Sequence, residues 1–134
     1  MTASRCLAMV VATMLLTGRS ASVAAEGRLA AAEGAAKATA ATAEGKKYED
    51  EVGRAFGRDQ GKSIQGCAKE IQRPDLADFN VFLRVTAAGE VEEALVKPST
   101  NLAVCLQGKL KAWKVGTPPQ PDQWVNVRVK LQSK

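Results

Sequence analysis

Residues 79–97 read FNVFLRVTAAGEVEEALVK, and this stretch decides the fold. Phe79, Val81, Leu83 and Val85 alternate with Asn80, Phe82 and Arg84. A period of two residues puts those sets on opposite faces of a half-buried β-strand. Ala87-Ala88-Gly89-Glu90 then forms a short hairpin connection, with Gly89 free to take a positive φ. Val91 to Lys97 is the returning strand. Its alternation slips between Val91 and Ala94-Val96, which predicts a bulge. Pro98 closes the strand at an edge or an exit, because proline cannot donate to a ladder.

Working outward towards the C-terminus, Ser99, Thr100 and Asn101 are candidate helix N-caps. Leu102, Cys105, Leu106, Leu110 and Trp113 follow at helical spacing, with Lys109, Lys111 and Lys114 near the end where the helix dipole favours cations. Gly116 and Pro118-Pro119 stop that helix. WVNVRVKL, residues 124–131, alternates again: Val125, Val127, Val129 and Leu131 face inward, while Asn126, Arg128 and Lys130 face water. Towards the N-terminus, Tyr48, Val52, Ala55 and Phe56 recur at helical spacing, as do Ile64, Cys67, Ala68 and Ile71. Gly57 and Gly61 bracket a weak point between them, so residues 47–71 read as a pair of helices. The expected architecture is α+β: a small three-stranded antiparallel sheet with two helices packed on one face. The domain spans 47–134, with its core at about 62–132.

The remaining segments read differently. Residues 26–46 are mostly alanine with interspersed glycine, threonine and glutamate; only Leu29 is large and apolar, so the stretch is expected to be a linker outside the core. Residues 1–25 have the layout of a secretory signal peptide: Arg5, then the apolar run Cys6–Leu16, then small residues Ser22-Val23-Ala24-Ala25 with cleavage expected after Ala25. The run is short of the roughly 20 residues that span a bilayer. A periplasmic or secreted protein is therefore expected. Loss of Arg5 and Arg19 with the signal lowers the formal charge from +5 to +3, with basic residues scattered among acids, which does not suit a nucleic-acid partner. Cys6 leaves too. Cys67 and Cys105 remain in an oxidising compartment, both on apolar helix faces, and a disulfide between them would stabilise a small core by roughly 4 kcal/mol. The alternative is a pair of separate buried thiols.

The chain has no histidine, which removes Ser-His-Asp, Cys-His and most zinc arrangements. Cys67 and Cys105 have no metal-ligand spacing and form no Cys-X-X-Cys motif. Glu92 and Glu93 are adjacent on a strand and point to opposite faces. Gly61-Lys62-Ser63 lacks the first half of a phosphate-binding loop. No catalytic residue, metal site or small-molecule cofactor is expected, and the domain reads as a binding module.

The segment FNVFLRVTAAGEVEEALVKPSTNLAVCLQGKLKAWKVGTPP, followed by WVNVRVKL, resembles the C-terminal domain of the TonB and TolA proteins, periplasmic energy transducers. The resemblance covers roughly residues 62–132 and rests on the order and spacing of strand, Gly89 turn, strand ending at Pro98, helix with Leu106, Leu110 and Trp113, and last alternating strand. The TolA version also carries a cysteine early in that helix, where Cys105 stands. The resemblance implies an envelope protein as partner, an outer-membrane or other membrane-associated protein among the candidates, engaged by adding a strand to a sheet edge. Trp124 starts the last strand out of phase with its valines, so it is either a rim aromatic covering the core or an exposed anchor. In the second case Arg128 on the same face and Phe82 on the outer face of the first strand complete a partner-binding patch. Alternatives are a secreted inhibitor or accessory factor of a hydrolase, or a short membrane-anchored TonB-like transducer if the signal is uncleaved.

Overall fold

Strand β1 (Phe79–Val85) is the centre of the sheet, flanked by β2 (Val91–Lys97) and β3 (Gln123–Val129), both antiparallel to it, in the order β2-β1-β3. This computed structural model describes residues 20–131. Most of the signal-like segment, Cys6 included, lies outside the described residues. In the register, Leu83 stands between Ala94 and Val125, and Val81 between Val96 and Val127, so one face is a continuous apolar layer. The expected bulge is present: Arg84 pairs with Glu93 but Val85 pairs with Val91, and the register shifts between them. Gly89 has φ +81°, and a Cβ there would overlap the Val115 carbonyl. That close approach arises because residues 112–115 fold back along the hairpin. Val115 N–H donates to Gly89 O at 2.7 Å and Val91 N–H to Trp113 O at 2.9 Å.

Helices α2 (Ala43–Asp59) and α4 (Asn101–Lys109) cover the apolar face and α3 (Gly61–Glu70) packs against both of them, numbered after α1 (Ser20–Ala40), which lies elsewhere. Tyr48, Val52 and Phe56 from α2 and Ala103, Leu106 and Leu110 from and just beyond α4 join the strand residues in one core, with Ile64 of α3 packed against it. The break expected between Gly57 and Gly61 falls at Gln60. Thr42 caps α2 by accepting from Gly45 N–H at 3.0 Å, and Thr100 caps α4 by accepting from Ala103 N–H at 3.1 Å. These bonds satisfy backbone donors that no helical carbonyl can reach. Cys67 and Cys105 form the disulfide, joining α3 to α4 with Cα atoms 5.9 Å apart.

The structure corrects the sequence reading of the fold in the last helix and in the N-terminal segment. The helix expected to run to Trp113 ends near Lys109, because the hairpin edge takes up the following backbone: Ala112, at φ 67°, donates to Val91 O. Trp113 packs edge-on against Phe56, ring centroids 5.9 Å apart, and its indole N–H donates to Asp59. Two helices, α2 and α4, pack directly on one face of the sheet as expected, but a further helix lies on the other face. That further helix, α1, is formed by the segment expected to be a linker; it also includes residues 20–25 of the signal-like stretch. No helix among the described residues is long and apolar enough to cross a membrane.

Tyr48 ties α2 to the loop before β3: its buried hydroxyl donates to Gly116 O at 2.7 Å. Burial, and then the nearby Glu51 charge, push its pKa up to about 12 from the model-compound value of 10.0. Between these values the unfolded phenol has lost its proton while the folded one keeps it. Stability from this group is therefore complete below pH 10 and is lost as pH rises towards 12. Tyr48 is the single tyrosine, so phenolate absorbance reads it alone. Tyr48→Phe is expected to cost about 1 kcal/mol at neutral pH. That deficit should shrink in denaturant titrations above pH 10, where wild type loses its advantage.

Candidate functional site

Phe82, Leu95 and Trp124 project from neighbouring strands onto the outer face of the sheet, and α1 lies across them with Leu29, Ala32 and Ala36. Phe82 is 5% exposed. The partner-binding patch of Phe82, Trp124 and Arg128 is therefore corrected: Phe82 is inside the protein, and Trp124 is half-buried beside α1. Arg128 remains exposed, but on the β3 edge among Lys46, Asp50 and Arg54 of α2. The helix is tied to β2 by two ion pairs, Arg28 with Glu93 and Lys97 Nζ with Glu33 Oε1, the latter at 2.8 Å. At the corner into α2 the backbones touch so closely that a Cβ on Gly45 would overlap the Thr39 carbonyl.

Both outer strands have an edge, and the fold treats the two differently. On β3, the Asn126 N–H donates to the Glu49 carboxylate at 3.3 Å, and α2 lines the edge with charged side chains. Charges along an edge disfavour pairing with another strand. On β2, the first part is occupied by residues 112–115. Beyond the bulge the Ala94 carbonyl points away from β1 and accepts from Gln107 Nε2 at 2.6 Å. In an antiparallel ladder the N–H of a residue points the same way as its carbonyl, and the residue two further on repeats the direction. The edge groups at Ala94 and Val96 thus face outward, and no backbone outside the sheet meets them among the described residues.

Hollows of about 460 and 250 Å³ border this edge, with Gln107 common to both. Their walls are α1, through Arg28 and Leu29, α4, through Val104, and the segment after it, through Lys111. Val104 is a large apolar side chain left 50% exposed. The result is a trough along the β2 edge. It has backbone donors and an acceptor on its floor side, apolar contact from Leu29, Leu95 and Val104, and cations at the rim. Sequence reasoning missed Gln107 and Val104. The available signal was Val104 itself, an aliphatic residue off the apolar face defined by Leu102, Leu106 and Leu110. Comparison with protein-family models, with curated proteins and with solved structures gives no match to this chain. The fold class, an α+β sandwich of helices about a three-stranded antiparallel sheet, rests on the structure alone.

Proposed function

We propose that this is an exported protein-binding domain of the TonB/TolA C-terminal type, which engages an envelope protein by accepting a strand at the β2 edge. The observation that carries the reading is the outward-facing backbone at Ala94 and Val96 inside an apolar-walled trough, where one side-chain amide, Gln107, stands in for an incoming N–H. An extended segment replaces that amide bond with main-chain bonds and sets alternate side chains against Leu29 and Val104. The export reading rests on residues 1–25, and the Cys67–Cys105 disulfide is consistent with it.

The test uses the β2 edge directly. Ala94→Pro removes an edge N–H without touching the β1 ladder, since proline is tolerated on strand edges. It is expected to reduce capture of the partner from solubilised envelope by about tenfold or more, a loss of about 1.4 kcal/mol, with the folded near-ultraviolet spectrum kept. A photo-crosslinker at Val104 should join the partner, and one at Arg128 should not. Crosslinking from Arg128 alone, or undiminished capture by the folded proline variant, refutes the β2-edge mode.

A further inference from the structure

The two halves of α1 are held differently. The C-terminal half carries the buried Ala36 and Thr39 and ends in a tight corner, where the Thr42 hydroxyl donates to Thr39 O at 3.2 Å. A Cβ on Gly45 would overlap that same carbonyl, so the corner has no room to flex. N-terminal to the buried Ala32, residues 26–31 form an arm whose one large apolar side chain, Leu29, is only partly buried. The arm's ion pair, Arg28 with Glu93, leaves the Arg28 side chain 65% exposed. Exposed pairs contribute little and are screened by salt. Glu93 also bonds Arg84 Nε at 3.4 Å, so it keeps a cation when Arg28 departs. Gly27 lies in the arm and Gly34 in the turn that joins it to the anchored half. A Cβ at either position would meet nothing within 4 Å, so packing does not require glycine there. Glycine weakens a helix relative to alanine at both. The arm is thus the part of α1 that opens while the rest stays docked.

The arm is also a wall of the trough. Glu26 and Leu29 border one hollow together with Leu95, Val96 and Gln107, and Arg28 borders the other. A strand paired with β2 sets alternate side chains on the outer face of the sheet. Leu29 and Leu95 stand there with apolar surface still exposed. That surface leaves water completely only when β2, the arm and the added strand are together. Burial shared in this way couples the two events, and the coupling is reciprocal.

We infer that residues 26–31 are a clamp: the arm detaches and redocks in the free protein and closes over a strand added at β2, so that strand binding and arm docking strengthen each other. The inference rests on the strand-addition reading and supplies its moving part. The arm begins after the expected cleavage point at Ala25, so an exported chain retains it.

The test is amide hydrogen exchange, read by NMR on ¹⁵N-labelled protein, with a short acetylated and amidated peptide of alternating threonine and valine as the strand probe. The amides of residues 30–33 report the arm, because their helical acceptors are its carbonyls. In the free protein they should exchange about tenfold or more faster than those of residues 36–40. Gly34→Ala should slow them about threefold. Peptide that shifts the Ala94 and Val96 amides should slow exchange at 30–33 about tenfold and leave 36–40 unchanged. Ala31→Pro, at an exposed position, unwinds the arm and leaves Ala32, Ala36 and Thr39 docked. It should weaken peptide binding about tenfold. If that variant fails to fold, Ala30→Gly/Ala31→Gly replaces it, with an expected loss of about threefold. Equal exchange along α1 overturns the clamp and leaves strand addition standing. So does peptide binding that neither slows exchange at 30–33 nor weakens in the folded variants. A peptide that leaves the Ala94 and Val96 amides unmoved overturns strand addition, and the clamp with it.

Discussion

Replacing Phe82 with alanine is expected to lower the folding free energy by about 3 to 5 kcal/mol, the range found when a buried phenylalanine is truncated. Phe82 sits on the face of β1 opposite the main core, and by strand periodicity alone it would point to water. A solvent-facing residue there would change stability by only about 0.5 kcal/mol. The prediction is large because α1 covers it: Ala32 and Ala36 lie against the ring, which is 5% exposed. The measurement is a urea denaturation series, accompanied by hydrogen exchange. The variant should lose protection in α1 well before the sheet does, since removal of the ring leaves the helix with Leu95, Trp124 and its ion pairs. A loss below about 1 kcal/mol would contradict the packing of α1 described above.

Breaking the Cys67–Cys105 disulfide is the other change with a large expected effect. It closes a segment 38 residues in span that holds the end of α3, the whole β-hairpin and the start of α4. In the chain-entropy description, such a link stabilises by roughly 4 kcal/mol through restriction of the unfolded chain. Globular domains have only about 5–15 kcal/mol in total. The Cys67→Ala/Cys105→Ala variant, and wild type held in reductant, should therefore unfold at a much lower urea concentration than the oxidised protein. The variant should also be insensitive to reductant. Cys67 is fully buried, so its replacement adds a packing loss that reduction does not, and the variant should be the weaker of the two. Non-reducing mass analysis that found free thiols at both positions would remove the basis of the prediction.

The main core was legible because large apolar residues mark it with a clear period. Phe79, Val81, Leu83 and Val85 alternate, and so do Val125, Val127 and Val129, so their strands, shared face and antiparallel pairing follow from pleat geometry. The bulge was legible because the return strand loses phase at one place. The α2–α3 break was legible because glycines flank it. The outer layer was not. The buried side of α1 is made of Leu29, Ala32, Ala36 and Thr39, a helical stripe in which only the leucine is large. Alanine contributes little transferable area of its own, so no pattern of apolar residues announces the stripe. The area comes instead from Phe82, Leu95 and Trp124 on the sheet, which each looked like an isolated outward residue.

The same division holds for the candidate sites. That two of the three cysteines lie on apolar helix faces, that the chain lacks histidine, and that it builds a hairpin with a bulge is a matter of residue type and local spacing. Which sheet edge is open is not. It depends on Glu49 reaching the Asn126 N–H on one side, and, among the described residues, on Gln107 meeting the Ala94 carbonyl on the other. Those contacts join residues 77 and 13 positions apart. Local periodicity reports which face of an element is apolar. It carries no information about which element covers a face, and here that covering turned Phe82 into interior, half-buried Trp124 and left the β2 edge beyond the bulge open.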